Sequence, residues 1–257
     1  MQATGKPVCI RFRCTFGCAV VPLHVYDAST IDALIHPFLV YNSVIYTVSG
    51  IKGGSGRSTT AANLFVFLEK QGRKVLACDA DEQQSFSYFM EVRQVLPPLQ
   101  VFGEDLLKKL KPLIGQYDDI VIDCGGRDSA SQRAALTLAD ASLIPVAPRA
   151  TDRWTLNAVY ELLDKAQGFN TKLQAFLFFS RTDHRGMNGS AVGEASDYLR
   201  PDTAWCRFVP LPIGNRVAYD KAMGWGQSVL EYQPTDPKAI AEITSLFTHV
   251  QQAITKK

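Results

Sequence analysis

The sequence predicts an α/β fold in which a mostly parallel, twisted sheet carries helices on both faces. From residue 43 onward, short apolar runs rich in β-branched residues alternate with longer segments of helical period. Neighbouring parallel strands need a crossover connection, which is usually a helix, so this alternation favours a parallel sheet over hairpins. The length of 257 residues and the 46% hydrophobic content allow one large domain with a substantial core.

Six apolar runs are the candidate strands of this sheet. They cover residues 43–50, 74–81, 118–126, 141–148, 172–180 and 205–213. Helix-length segments separate them, at residues 57–72, 104–114, 129–139, 151–166 and 215–224. We expect the first of these helices to close at Gly72, because glycine is the usual residue just past a helix C-terminus.

The C-terminal segment predicts an amphipathic helix. Asp236 is placed to cap it, and Pro237 occupies the first helical position. An apolar stripe follows, formed by Ile240, Ile243, Phe247, Val250 and Ile254. We expect the stripe to pack on the sheet, because a helix lying on a membrane surface would carry more lysine and arginine beside its apolar face.

Composition and charge limit the functional classes to which this protein can belong. The formal net charge is only +2, so contact with nucleic acid would depend on local basic patches. The six cysteines form no Cys-x-x-Cys pair, and a chain of this length folds without disulfides, so we expect reduced thiols in a cytoplasmic protein. The sequence contains no run of about 18 apolar residues, which argues against a membrane protein.

Residues 1–42 differ from the rest of the chain because neither a helical nor a strand period persists in them. Arg11 and Arg13 interrupt the apolar stretch that a signal peptide would need. We therefore expect an irregular N-terminal extension at residues 1–42 and a single domain at residues 43–257.

The stretch SGIKGGSGRST, residues 49–59, has the composition of a phosphate-binding loop. A strand ends near Ser49, glycines follow, and a helix starts near Arg57. Unpaired N–H groups and the dipole at a helix N-terminus attract phosphate, and Ser58 stands where a hydroxyl can bind Mg²⁺. We expect a nucleotide site whose loop residues are Gly53, Gly54, Ser55, Gly56, Arg57, Ser58 and Thr59.

Carboxylates follow two further predicted strands. Asp79 and Asp81 lie at the end of the second strand, and Asp123 lies near the end of the third. The carboxyl ends of parallel strands meet at one edge of a sheet, which is where ligands bind in this architecture. These side chains should therefore converge on the loop.

Four segments together resemble the ParA/MinD family of deviant Walker A ATPases, and in particular its ParA-type partition proteins. KGGSGRST, from Lys52, is similar to the family loop K-G-G-x-G-K-[ST] except at Arg57. DADEQQS (79–85) resembles the D-x-D-P-Q segment, and IVIDCGG (120–126) resembles the Walker B strand with the switch after it. Residues 210–232 resemble the C-terminal portion of partition ATPases. The resemblance covers about residues 43–250.

The resemblance implies a single P-loop domain that binds ATP and Mg²⁺. Lys52 would reach across a nucleotide-sandwich homodimer to the phosphates of the other subunit. Asp81 would orient or activate the attacking water. Ser58, Asp79 and Asp123 would hold Mg²⁺, largely through its water shell.

Three positions depart from the family pattern. Arg57 keeps the positive charge, but its planar fork cannot act as a point charge under the β- and γ-phosphates. Losing one charge-assisted bond costs about 1.5 to 3 kcal/mol, so weak nucleotide binding survives. Hydrolysis needs tighter placement, so we predict a weak ATPase, and whether turnover occurs at all stays open. Glu82 and Gln84 replace the family's proline and small residue, which puts the first switch in doubt.

The leading hypothesis is a partition ATPase for plasmid or chromosome segregation. It would dimerise with ATP, bind non-specific DNA on the nucleoid, and be released by a ParB-like centromere-binding protein. Candidate DNA contacts are Arg200, Arg207, Arg216 and Lys221. The alternative is a switch or scaffold that reads nucleotide occupancy in conjugation or mobile-element maintenance, with little or no hydrolysis.

Two other groups of proteins carry the same kind of loop and give weaker hypotheses. A membrane-recruited cell-division protein would use the C-terminal helix on lipid. An iron–sulfur reductase relative would need a second cluster ligand besides Cys124, and none is evident.

The loop also lies closer to the N-terminus in the short partition ATPases, so residues 1–42 could be a gene-model artefact.

Overall fold

The computed structural model describes residues 43–126, 129–148, 152–183 and 185–255. These residues belong to one compact unit of the chain. The extension predicted at residues 1–42 lies outside the described residues.

Eight strands form the sheet, and every pairing within the described residues is parallel. The strands are β1 (Val44–Val48), β2 (Val75–Ala80), β3 (Leu99–Gln100), β4 (Asp119–Cys124), β5 (Ala141–Val146), β6 (Gln174–Thr182), β7 (Cys206–Phe208) and β8 (Ile213–Gly214). Their spatial order is β3-β2-β4-β1-β5-β6-β7, with β8 paired to β6. The predicted parallel sheet is confirmed.

Eight α-helices connect and cover these strands in the described chain. They are α1 (Arg57–Glu69), α2 (Ser85–Arg93), α3 (Asp105–Leu110), α4 (Ala130–Leu138), α5 (Asp152–Phe169), α6 (Ser190–Ser196), α7 (Val217–Gly224) and α8 (Pro237–Thr255). Single 3₁₀ turns follow α3 and precede α6, at Lys111–Leu113 and Gly186–Asn188.

The core lies on both faces of the sheet, as predicted. One face packs β1 through Tyr46 and Val48 against α1, α2, α7 and α8. The opposite face packs Ile45 of the same strand, with Ile120 and Ile122 of β4, against α3 and α4. Alternate residues of a strand point to opposite faces, so a strand buried on both sides is apolar throughout. This explains the continuous apolar runs of the sequence.

Helix α1 lies at the centre of one face and is enclosed by neighbours. Its residues are apolar on most sides, and Ala61, Leu64, Val66 and Leu68 are fully buried. Gly72 follows the helix with a φ of +77°, so the predicted glycine stop is confirmed. Because α1 is held on all sides, its first turn has a fixed position at the carboxyl edge of the sheet.

The predicted C-terminal helix is confirmed. Asp236 accepts hydrogen bonds from the N–H groups of Lys238 and Ala239, as an N-cap residue should. The apolar stripe packs into the core, where Phe247 lies 5.4 Å from Phe67 between ring centroids. None of the helices in the described part of the chain combines the length and the apolar composition that spanning a bilayer requires.

The elements differ from the sequence prediction in several places, and helix α6 (Ser190–Ser196) was not predicted. The strand predicted at residues 205–213 is split into β7 and β8, because Pro210 and Pro212 between them have no N–H for a ladder. Helix α2 and strand β3 were missed, because residues 85–100 lack a long apolar period. Both belong to the same crossover between β2 and β4.

Candidate nucleotide-binding site

The loop between β1 and α1 has the backbone of a phosphate-binding turn. Gly54 and Gly56 adopt positive φ values of +74° and +90°, a region that side chains other than glycine rarely enter. Gly56 stands at the N-cap position of α1, and no side chain caps the helix there. Unpaired N–H groups and the positive end of the helix dipole therefore face the edge of the sheet.

Hydrogen bonds from neighbouring strands hold this loop in place. The Ser49 N–H donates to the Leu143 carbonyl at 3.0 Å, which ties the start of the loop to β5. The Ser180 hydroxyl donates to the Ser55 carbonyl at 2.7 Å, which ties its centre to β6. The loop is thus fixed before any ligand arrives, and a fixed loop reduces the entropic cost of binding.

Strand register brings the predicted carboxylates to the same edge. Asp123 of β4 is the Cα partner of Val48 in β1 and of Asp79 in β2. Asp123 therefore lies directly beside the end of β1, the strand that carries the loop, and Asp79 lies one strand further along the same edge. Asp81 follows β2 by one residue and is also buried.

Neither oxygen of the buried Asp123 carboxylate makes a well-formed hydrogen bond to a described residue, although the Ser58 hydroxyl faces it. Burial raises its pKa to about 8, while Ser58 and Arg57 act in the opposite direction. Burying an unsatisfied carboxylate is costly, and a bound cation would remove that cost. Ser58 and Asp123 fit Mg²⁺, which prefers oxygen ligands and keeps several waters and phosphate oxygens.

No cluster of three or more metal-binding side chains occurs in the part of the chain that the structure describes.

Asp79 is satisfied by the protein itself. Its Oδ1 accepts a hydrogen bond from the Asp81 N–H at 3.1 Å, and its Oδ2 accepts from the N–H and the hydroxyl of Ser87 at 2.7 and 2.8 Å. Asp79 therefore fixes the segment that leads into α2. Gln84 in this segment has a φ of +54°, which is a conformation that glycine adopts most easily.

Arg57 points into the protein rather than out of the loop. Its Nε donates to the Cys124 carbonyl at 2.9 Å, and its Nη1 donates to the Lys52 carbonyl. Its Nη2 lies 3.7 Å from Oδ2 of Asp81. The structure thus brings Lys52, Arg57 and Asp81 together, and it leaves the Lys52 side chain half-buried at the front of the loop.

A small cavity borders the first turn of α1 and was missed in the sequence. Thr59, Arg181 and Asn215 are among its lining residues. Arg181 has a φ of +53° at an irregularity in the pairing of β6 with β8. The positive φ of Arg181 could not be predicted from the sequence. Asn215, by contrast, lies in the 210–232 segment that resembles partition ATPases.

The SVLEY stretch at residues 228–232 anchors the C-terminal loop to α1 and α2. The Ser228 hydroxyl and the Val229 N–H both donate to Oδ1 of Asn63, a buried residue of α1. Glu231 pairs with Arg93 at the end of α2 at 2.8 Å. The SVLEY stretch therefore helps to hold α1, whose N-terminus forms the nucleotide site, in place.

Three of the four candidate DNA contacts have local partners. Arg216 pairs with Glu242, and Arg200 pairs with Asp164 at 2.8 Å while its guanidinium lies over the ring of Tyr160. Two further candidates are Arg207, which donates to the Ala204 carbonyl at 3.2 Å, and Lys221, which is exposed on α7. Arg216 and Arg200 are thus partly neutralised in the single chain.

Known proteins share this architecture. Maintenance of carboxysome distribution protein A from Halothiobacillus neapolitanus is 27% identical over 209 residues, covering 79% of this chain and 94% of that protein. Protein ParA from Rhizobium radiobacter is 23% identical over 195 residues, covering 71% and 83%. The solved structure of septum site-determining protein MinD from Pyrococcus horikoshii with Mg-ADP superposes with a TM-score of 0.62 at 20% identity, covering 82% and 96%.

A family match extends over most of the domain. Residues 46–254 match the CobQ/CobB/MinD/ParA nucleotide binding domain, a span that runs from β1 into the last turn of α8. It includes the loop, the carboxylate edge and the SVLEY anchor described above. This chain belongs to the CobQ/CobB/MinD/ParA family of nucleotide-binding domains.

Proposed function

We propose that this protein is a ParA-type ATPase that binds Mg-ATP on the loop between β1 and α1. The observation that carries the proposal is the unsatisfied, buried Asp123 beside the uncapped N-terminus of α1. A helix N-terminus attracts the phosphates, and the carboxylate requires the cation that accompanies them.

Each predicted site residue has a role in this proposal. The amides of residues 53–59 bind phosphate oxygens, and Ser58 with Asp123 holds Mg²⁺, which neutralises charge on the phosphates. Asp79 positions the switch segment through its three accepted hydrogen bonds. Asp81 orients the attacking water, and Lys52 contributes a cation to the phosphates of the second subunit.

The nucleobase would occupy the cavity beside α1. Thr59 belongs to both the loop and the cavity wall, so a nucleotide whose phosphates rest on the loop extends naturally toward Arg181 and Asn215. The Asn215 side chain is exposed, and an amide can both donate and accept hydrogen bonds to a purine edge.

The cellular role proposed is the segregation of a DNA cargo. ATP would drive homodimerisation, and the dimer would bind non-specific DNA on the nucleoid until a ParB-like partner stimulates hydrolysis. The similarity to ParA of Rhizobium radiobacter supports this role. The similarity to a carboxysome distribution protein supports positioning of a cargo more generally.

Calorimetry and sedimentation velocity test the proposal directly. Wild-type protein should release or absorb heat with ATP and Mg²⁺, and it should shift from monomer to dimer with ATP but not with ADP. Asp123→Asn should lose the dependence of binding on Mg²⁺. If the wild-type protein gives no heat at millimolar nucleotide, the site does not bind ATP and the proposal is wrong.

DNA binding is tested by its salt dependence. Electrostatic contact with phosphates weakens steeply as salt rises, because bound counterions are released on association. We expect binding to DNA of unrelated sequences only in the presence of ATP, with a marked loss between about 50 and 200 mM salt. Equal DNA binding with and without nucleotide would contradict the coupling.

A second candidate function follows from Arg57. Because its guanidinium is engaged inside the protein, hydrolysis could be negligible, and nucleotide occupancy alone would then switch a conjugation or mobile-element scaffold. A turnover measurement with DNA and partner present separates the two functions. Dimerisation without measurable turnover supports the switch.

A further inference from the structure

Arg57 connects three separate segments of the nucleotide site. Its guanidinium bonds the Lys52 carbonyl in the loop and the Cys124 carbonyl at the end of β4, and it faces Asp81 after β2. The side chain is only 8% exposed. A lysine ammonium is a single point at the end of a flexible stem and could not span these groups, whereas the guanidinium fork can.

The charge of the guanidinium also acts on Asp123, the unsatisfied carboxylate described above. It lowers the pKa of Asp123, although burial dominates that group and raises its pKa overall. A buried charge is tolerated when it is paired, so Arg57 and Asp81 stabilise each other as long as no other ion is present. A bound triphosphate at the first turn of α1 would compete for the same cation.

We propose that Arg57 is a phosphate-released brace. In the nucleotide-free protein it ties the loop to the segments after β2 and β4. When a triphosphate binds, the guanidinium exchanges these partners for phosphate oxygens and frees Asp81 and Gly126. The inference rests on the proposed nucleotide site, and it deepens that proposal by coupling phosphate binding at Arg57 to the release of Asp81.

Gly126 provides a way to move the brace without altering Arg57. A Cβ on Gly126 would lie 2.5 Å from Nη2 and 3.1 Å from Cζ of Arg57, so the guanidinium must shift. Gly126 does not require a left-handed backbone, since its φ lies outside the positive range. The neighbouring Gly125 is the matched control, because its Cβ would meet Asp81 at an ordinary 3.5 Å.

The first measurement is thermal unfolding without nucleotide. We expect Gly126→Ala to lower Tm by about 2 to 6 °C and Gly125→Ala to leave it nearly unchanged. In an Arg57→Met background, which keeps the apolar stem but removes the fork, Gly126→Ala should cause no further loss. An equal loss in both backgrounds would show that the clash does not act through Arg57, and the brace would be refuted.

The second measurement is binding of a non-hydrolysable ATP analogue with Mg²⁺. In Gly126→Ala the contacts of Arg57 are already broken before the analogue binds, so binding does not have to break them. This variant should therefore bind the analogue about 3- to 10-fold more tightly than wild type. Weaker binding in Gly126→Ala than in Gly125→Ala would overturn the proposal. If the wild-type protein gives no heat on titration with the analogue, the nucleotide site itself is refuted. The unfolding data, which are collected without nucleotide, still test the contacts of Arg57.

Discussion

Asp79 and Asp123 are paired across β2 and β4, and only Asp79 finds hydrogen-bond partners within the described chain. The two carboxylates have the same position relative to the sheet edge. They differ because Asp79 is followed by a turn that folds Ser87 back onto it, whereas Asp123 faces the loop. One carboxylate therefore organises the protein, and the other is the one that the proposed Mg²⁺ would contact.

Opposite effects on stability should follow from this pair. In metal-free protein, Asp123→Asn should raise Tm by about 2 to 6 °C, because it removes a buried unsatisfied carboxylate. Asp79→Asn should lower Tm by a similar amount, because an amide cannot accept all three hydrogen bonds. Thermal unfolding in chelator measures both. A loss of stability in Asp123→Asn would show that its carboxylate has a partner inside the protein.

The replacement of Arg57 by lysine should increase ATP turnover. An ammonium fits beneath the β- and γ-phosphates, and it would no longer hold Asp81 through a fork. We expect turnover to rise roughly tenfold, with a lower Tm in the nucleotide-free state. Steady-state phosphate release measures the first effect. Equal or lower turnover would refute this account of the loop, and Arg57→Met serves as the control that lacks any cation.

Gly226 should be intolerant of any side chain. It has a φ of +62°, and a Cβ there would lie 2.4 Å from the backbone nitrogen of Arg93, so neither group can move aside cheaply. We expect Gly226→Ala to destabilise the protein by about 3 kcal/mol or more, measured by denaturant unfolding. Gly224→Ala is the matched control, because a Cβ there meets nothing within 4 Å. Similar losses in both variants would contradict the packing described.

The ionised Glu231 carboxylate should contribute stability that the protein loses at low pH. Partial burial raises its pKa, but the hydrogen bonds and charge of Arg93 outweigh burial, so the net pKa lies below its ordinary value. A carboxylate with a depressed folded-state pKa adds stability above its unfolded pKa, which is about 4.3, and loses it as the pH falls through the folded value.

The comparison of wild type with Glu231→Gln measures this contribution. The variant should be less stable at pH 7, and the difference should shrink as the pH falls below about 4. Glu91→Gln, an exposed glutamate of α2, is the control and should show little difference at either pH. A difference that stays constant with pH would exclude the ionised pair as its cause.

Tertiary structure alone decided how the site residues are used. Asp79 and Asp123 look alike in sequence, and only the turn that places Ser87 separates a satisfied carboxylate from an unsatisfied one. Two of the three partners of Arg57, Asp81 and Cys124, are distant from it along the chain. Helix α2 escaped prediction because it is short and its stability comes from burial of Phe86 and Phe89.

The sequence by itself determined the parallel sheet, the loop, the stop at Gly72 and the capped C-terminal helix. These features depend on local rules: the period of apolar residues, the backbone freedom of glycine and the cap at Asp236. Contacts between distant segments follow no such local rule. They depend on strand order and register, which are fixed only when the whole sheet packs against its helices.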